Sequence, residues 1–262
     1  MKTNESKDFL GDRMKSYEAG ALALNGNNDK YTVIRLDGNA FHTWVKKAKL
    51  SKGFDYRMIT AMQDTTLGLC NTITTAIMGY CQSDEITIVL KKGENENSEA
   101  WFNNRVQKLC SISASMAAYF FNKRMYDFFI ADESEDSFPP AFFDARVMFF
   151  PTLEEVINCL IWRQNDCIKN SVASLAQMHF SPKELNKKNQ DMMKKMLEEK
   201  GVSWDKMPHE RKYGTFVHKQ KIKHMYKGTE YERSEFFIDT WAPIFSKDKQ
   251  FLIDAYNFKI EK

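Results

Sequence analysis

Apolar and polar residues alternate with a period of two over residues 31–37, so that Val33, Arg35 and Asp37 share one face of a strand while Ile34 and Leu36 take the other. Gly38 closes the run. Two further apolar segments, residues 75–80 and 86–90, predict strands on either side of a bend at Ser83-Asp84. Between the first strand and these two, residues 39–49 and 55–71 read as helix, the second stretch carrying Met58, Ile59, Met62, Leu67 and Leu69. A polar loop from Lys92 leads to a helical stretch over 101–123, then an acidic loop over 132–137 and Pro139-Pro140. Residues 142–150 form another strand. Upstream, Phe9, Met14, Tyr17 and Leu22 fit a helix that breaks at Gly26-Asn27-Asn28.

The order strand, helix, strand, strand, helix, strand predicts an α+β fold. It is the ferredoxin-like βαββαβ antiparallel sheet with helices on one face, which is also the architecture of polymerase palms. That fold hosts many functions and names none. From Thr152 the chain reads mostly as helix: Thr152-Leu-Glu-Glu is a cap with early acids, and the pattern runs to about residue 180. Ser181-Pro182 starts a second helix that ends at Gly201. Residues 212–226 are basic and strand-prone, and the tail from Ser234 adds an edge strand or packs on the core. The expected organisation is a palm-like catalytic domain with an N-terminal helix over 1–150, followed by a mostly helical, basic C-terminal lobe over 151–262.

Composition narrows the picture only slightly. With 262 residues, 43% of them hydrophobic, the chain can bury a substantial core. A net charge of +3 means that any nucleic-acid surface must come from local clustering. The five cysteines, odd in number and without a C-x-x-C pair, read as reduced thiols and not a zinc site. No apolar run is long enough for a bilayer-spanning helix and the first residues lack a signal-peptide core, so a soluble, cytoplasmic protein with no membrane partner is expected.

The chemistry concentrates in the acids at the strand ends. Asp37 ends one strand, and Asp84-Glu85 sits at the bend into another. Such a pair can hold divalent metal over a phosphate. Neighbours on a strand point to opposite sides, so only one of Asp84 and Glu85 is expected to join Asp37, and periodicity does not say which. Two carboxylates hold magnesium weakly, so the ions are expected to arrive with a nucleoside triphosphate. The plainer alternative makes Asp37 a helix cap and Asp84-Glu85 a solvated turn.

Arg35-Leu-Asp37-Gly38-x-x-Phe41-His42 and Gln82-Ser83-Asp84-Glu85 resemble the tRNA-His guanylyltransferase family, and most of all its guanylyltransferase-like 3′–5′ polymerases, which act in tRNA 5′-end repair. The resemblance continues through Lys52-x-x-Asp55, Trp101-Phe102-x-x-Arg105-x-x-Lys108, Phe143-Asp-Ala-Arg146-Val and Trp162-Arg163-Gln164-x-Asp166-Cys-x-x-Asn170. It spans roughly residues 30–178. It implies a reverse, 3′–5′ polymerase that adds nucleotides, GTP preferred, to the 5′ end of tRNA after ATP or GTP activates a 5′-monophosphate. It further implies two Mg2+ ions on Asp37, Asp84 and the Gly38 carbonyl, with Glu85 supporting catalysis. Arg35, Asn39, Ala40, Phe41, His42, Lys52, Ser83, Arg105 and Lys108 would contact nucleotide or triphosphate. Arg146, Arg163, Asp166 and Asn170 would support activity on tRNA. Lys212, Lys219 and Lys221, in the basic stretch, are the expected RNA contacts. The family resemblance also implies a homotetramer, a dimer of dimers.

Two departures bear on substrate. Asn39 stands where the family commonly has arginine, and Cys167-Ile-Lys-Asn170 replaces a His-Ile-Asn-Asn segment tied to the tRNA-His-directed members. The second departure favours template-dependent repair over strict addition of one G to tRNA-His. A nucleotide cyclase-like palm acting on free nucleotides and a non-catalytic RNA-binding module remain as rival readings.

Overall fold

A computed structural model describes residues 29–51, 55–93, 99–131 and 138–258. The expected N-terminal helix, most of the loop after Lys92, the acidic loop over 132–137 and the candidate residue Lys52 lie outside the described residues. Strands β1 (Tyr31–Gly38), β2 (Ala76–Gln82), β3 (Glu85–Leu90) and β4 (Phe143–Phe150) fall where alternation places them. Helices α1 (Phe41–Lys47) and α2 (Tyr56–Thr72) separate β1 from β2, and α3 (Val106–Ala131) separates β3 from β4. The sheet order begins β4-β1-β3-β2, wholly antiparallel, which is the expected βαββαβ arrangement.

The pleat assigns the two faces. Ile34 and Leu36 of β1, with Ile86, Ile88 and Leu90 of β3, pack under α2 and α3 around Leu69, Leu109 and Phe121. Val33, Met78, Tyr80 and Val89 point the other way. That second face is covered by the C-terminal half of the chain: Val156, Ile157 and Leu160 of α4 (Leu153–His179), and Leu252 and Ala255 of α8 (Lys249–Tyr256). The palm's own helices thus stay on one face, and the later helices close the other. Thr152 caps α4 as expected, its hydroxyl accepting from the Glu155 amide at 3.3 Å.

Several elements differ from their sequence expectation for local reasons. The stretch 101–104 is a 3-10 turn, with Phe102, Asn103 and Asn104 at positive φ, and α3 begins only after it. The helix expected over 181–201 is two: α5 (Pro182–Leu185), closed by a Ser181–Glu184 capping box, and α6 (Gln190–Glu199), capped anew by Asn189. Lys187 at φ 59 interrupts them. A short α7 (His209–Tyr213) leads through Gly214, at φ 77, into β5 (Thr215–Tyr226). A Cβ on Gly214 would meet the Tyr80 ring, so glycine serves both the turn and the packing there. β5 extends the sheet from β2 over Thr215–His218, and β6 (Thr229–Asp239) pairs with all of β5. Beyond Lys219, whose register partner Phe236 still packs on the core, the two strands run on as a two-stranded ribbon.

Buried Gln164 of α4 locks this C-terminal half together. Its Oε1 accepts from the Phe245 amide at 2.7 Å, while Nε2 donates to the Pro243 and Tyr213 carbonyls at 3.1 and 3.3 Å. Truncation strands the Phe245 amide and the Pro243 carbonyl, while the Tyr213 carbonyl keeps the Tyr80 hydroxyl at 2.8 Å. Gln164→Ala is expected to cost about 3 kcal/mol and to lower the melting temperature by roughly 6–12 °C in a thermal scan; an unchanged melt would refute the lock.

Candidate active site

β1 and the β2–β3 hairpin deliver the carboxylates. Asp37 lies on the α4 side of β1, and cross-strand register sets it between Glu85 of β3 and Asp144 of β4. One rung deeper, Arg35 lies between Thr87 and Arg146. A rung of three acids is therefore backed by a rung holding two arginines. Like charges directly opposed across strands repel, so the acidic rung calls for cations. Arg146 meets part of that need at the rim, 3.8 Å from Asp37 and 3.6 Å from Asp144.

Only Ser83 and Asp84 stand between the paired Gln82 and Glu85 in the hairpin. Ser83 takes φ 50, the left-handed conformation of primed hairpin turns. Its hydroxyl donates to Asp84 Oδ1 at 3.0 Å, and the Asp84 carbonyl accepts from the Gly38 amide at 3.0 Å, which ties the turn to the end of β1. Because Asp84 belongs to the turn and Glu85 to the strand, alternation does not separate them. Both line one cleft with Asp37, where only one was expected. Gly38 has its own packing reason: a Cβ there would enter the buried Phe41 ring.

The cleft is an open space of about 770 Å³ lined by Arg35, Asp37, Gln82, Ser83, Asp84 and Glu85 from the sheet and Trp162, Arg163, Asp166 and Asn170 from α4. A second, more enclosed cleft of about 690 Å³ adjoins it between α2, α4 and α7, sharing Gln82, Ser83 and Asn170. With the open solvent set aside, the first cleft has room of about 420 Å³, enough for a nucleotide-sized ligand, and the enclosed one about 100 Å³. Met58, Ile59, Met62, Cys81 and Cys167 give the second cleft its apolar lining. Asp55 stands at its edge with both oxygens engaged, by Arg57 and by the amides of Ser51 and Arg57, as the cap of α2.

Arg163 and Glu85 form the buried anchor of the site. The guanidinium Nη1 lies 2.7 Å from Glu85 Oε2, with both side chains nearly closed to solvent (6% and 11% exposed), and 3.5 Å from Asp166. Burial pushes the Glu85 carboxyl above its ordinary range, and Arg163 offsets part of that rise. Burial likewise raises Asp84, against the pull of the Ser83 hydroxyl, and the charge of Asp37 adds to the rise. Both shifts mean that the site favours bringing a cation beside these acids.

The donor set fits a hard divalent ion that arrives with phosphate oxygens. Asp37 and Asp84 line the cleft and Glu85 Oε1 is buried without a hydrogen-bond partner, while Gly38 is absent from the lining and its amide is engaged by the Asp84 carbonyl. No closed cage of three or more His, Cys, Asp or Glu side chains exists among the described residues.

The other candidates are spread more widely. Asn39, Ala40 and His42 are exposed at the start of α1, with Ala40 in the left-handed conformation, whereas the Phe41 ring is core, stacked on Trp44 at 5.2 Å. Any contact by Phe41 to a phosphate must come from its backbone. Arg105 and Lys108 start α3 at the far end of the sheet, where Thr32 bonds Asn104, and do not join the acids. Lys212 is turned inward, donating to the Asp205 carbonyl and lying over Trp204. Along β5, Lys219 lies over Phe236, Lys221 is paired in register with Ser234, and Lys223 meets Glu230 at 2.7 Å. Glu230, Glu232 and Glu235 on β6 offset much of the basic charge of β5, a cancellation that a count over 183–227 misses. Trp162 and Asp144 stood inside the quoted motifs without a role. The signal for Trp162 was its spacing, four and eight residues before Asp166 and Asn170 on one helical face.

A family model described as tRNA-His guanylyltransferase matches residues 11–151. An uncharacterised protein of Acanthamoeba polyphaga mimivirus is 33% identical over 239 residues, covering 84% of this chain and 80% of its own. A bacterial tRNA-His guanylyltransferase-like protein solved in complex with ATP superposes with a TM-score of 0.81 at 34% identity, over 95% of this chain and all of the other. A structure of such a bacterial protein in complex with GTP gives 0.78 at 32% identity, over 96% of this chain and all of the other.

Proposed function

Because the chain belongs to the tRNA-His guanylyltransferase family and is a nucleotidyltransferase, we propose that it adds nucleotides to the 5′ end of tRNA in the 3′–5′ direction, as a template-dependent repair enzyme. The observation that carries this reading is the convergence of Asp37 and Asp84, distant in sequence, on one cleft of nucleotide size that adjoins a second, more enclosed one. The ATP and GTP bound by the two similar bacterial proteins support both nucleotides as substrates. Preference for repair rests on Cys167 and Lys169: Cys167 is buried, its thiol directed at the Lys212 carbonyl, so it offers RNA no polar group.

Phosphoryl transfer needs positioning and charge neutralisation more than a covalent nucleophile. Two Mg2+ ions, held by Asp37, Asp84 and the Gly38 carbonyl when nucleotide is bound, would neutralise phosphate charge and favour ionisation of the attacking hydroxyl. In activation, an oxygen of the RNA 5′-monophosphate attacks the α-phosphorus of ATP, and pyrophosphate leaves. In addition, the 3′-hydroxyl of GTP attacks the 5′-phosphorus of the adenylylated end, and AMP leaves. Asp37 and Asp84 would hold the cations that position the reacting phosphates, Ser83 orients Asp84, and Arg163 holds Glu85 in place. Arg35 and Arg146 supply positive charge toward the leaving group. The second cleft holds the nucleoside. The assembly that the family resemblance implies is a homotetramer, and exposed Tyr119, Tyr126 and Ile130 on the outer side of α3 support such a contact.

The test offers full-length tRNA-His and 5′-truncated tRNAs with each nucleotide in turn, in the presence of ATP and magnesium. Incorporation that follows the opposing base is expected. Addition of G alone to tRNA-His would overturn repair, and cyclic products from GTP without RNA would overturn the RNA substrate.

A further inference from the structure

Trp162 is placed where packing does not require it. It is 53% exposed, and of the large apolar side chains exposed among the described residues it alone lines the carboxylate cleft. It stands one turn before Asp166 on the α4 face that forms the cleft wall. Its ring is braced by cations: the Arg163 guanidinium lies 3.5 Å from the ring centre and that of Arg35 lies 5.6 Å away. Arg163 is itself pinned by Glu85 at 2.7 Å, so the brace is fixed to the sheet that carries the acids. A rigid indole, backed by a cation and open toward reacting phosphates, is the chemistry that stacks a nucleobase.

We propose that Trp162 is the stacking platform for the terminal base at the RNA 5′ end. This rests on the nucleotidyltransferase reading above and adds to it the part of the substrate that the site grips. The geometry separates the two bases that could claim the ring. The incoming nucleoside has the enclosed cleft between α2, α4 and α7, which Trp162 does not line. Trp162 lines only the open cleft, on the side from which a bulky polynucleotide can approach. The base left to face it belongs to the strand being extended.

The experiment uses the full chain and a 5′-monophosphorylated RNA hairpin with 2-aminopurine as its 5′-terminal base, without magnesium or nucleotide. Wild type is expected to quench the probe on binding. Trp162→Ala and Trp162→Leu should lose the quench and bind the hairpin about tenfold more weakly or worse, while Trp162→Phe keeps most of both. The KM for GTP at saturating RNA should stay within about twofold in all of them, because stacking of the RNA base leaves the nucleotide cleft intact. Leu and Phe differ in aromaticity and little in bulk, so this pair decides the matter even if the Ala variant folds poorly. Retained quenching in Trp162→Leu would overturn the proposal. So would a raised KM for GTP with unchanged RNA affinity, which would assign the ring to the incoming base. Wild-type protein that quenches through Trp162 but adds no nucleotide would sink the enzymatic reading and leave the platform standing. Addition by wild type with equal quenching in every variant would sink the platform alone.

Discussion

Asp37→Ala and Asp84→Ala are each expected to reduce the proposed nucleotide addition to a 5′-truncated tRNA by about 10³-fold or more, with little change in thermal stability. The two carboxylates are the donors that face the cleft from opposite sides of the hairpin junction, and neither has a substitute. Asp144 is in register with Asp37 but sits at the exposed edge and shares Arg146. Glu85 has one oxygen committed to Arg163. Removing Asp37 relieves repulsion within the acidic rung, and removing Asp84 takes a buried carboxylate away from the charge of Asp37, so the melting temperature should stay within about 2 °C of wild type or rise. A single-turnover assay on 5′-triphosphorylated RNA isolates the addition step. Activity above a tenth of wild type in either variant would remove these residues from the reaction.

Arg163→Ala produces the other large effect, and produces it on the fold first. With the guanidinium gone, Glu85 is left buried beside Asp37 without its direct partner and with only the charge of Arg35 to offset it, and breaking such a pair from one side costs about 3–5 kcal/mol. The melting temperature should fall by roughly 6–20 °C. Glu85→Gln combined with Arg163→Met removes both charges together and should recover most of that loss, since a neutral buried amide is tolerated where an orphaned carboxylate is not. The double variant should nevertheless remain a poor enzyme, because Trp162 and Asp166 lose the group that holds them. The double-mutant cycle of melting free energies measures the coupling, and additivity of the two single changes would refute the anchor.

What the sequence made legible was whatever depends on neighbours along the chain. The period-two pattern at Val33–Asp37 and Ile86–Leu90 follows from the pleat, and it sorted the two sheet faces correctly. The Thr152 cap was readable because its partner is three residues away. The split at Asn186–Asn189 was hidden because Lys187 in a left-handed conformation leaves no mark in composition. Asp84 and Glu85 looked mutually exclusive only if both were already in the strand; Ser83 at positive φ places one in the turn. Farther apart in sequence, patterns carried less. The spacing of Arg105 and Lys108 shows a shared helical face but not which end of the sheet that face occupies. Lys219 and Lys221 read as RNA contacts from the basic stretch alone, and only the register shows Phe236 and Ser234 opposite them with the glutamates of β6 interleaved along the ribbon. The roles of the acids came from family motifs, not from periodicity.

The face of the sheet that carries the acids is roofed by α4 and α8, and this sets an order of events during synthesis. A chain that has emerged from the ribosome only as far as β4 holds Asp37 and Asp84 at their strand ends, yet leaves Val33, Met78, Tyr80 and Val89 wet and Glu85 uncompensated. Such a nascent intermediate is sticky on one side and has no working pocket, so chaperone contact at that side is most useful until α4 clears the exit tunnel. Catalytic competence therefore arrives late and all at once, with the segment that brings Arg163.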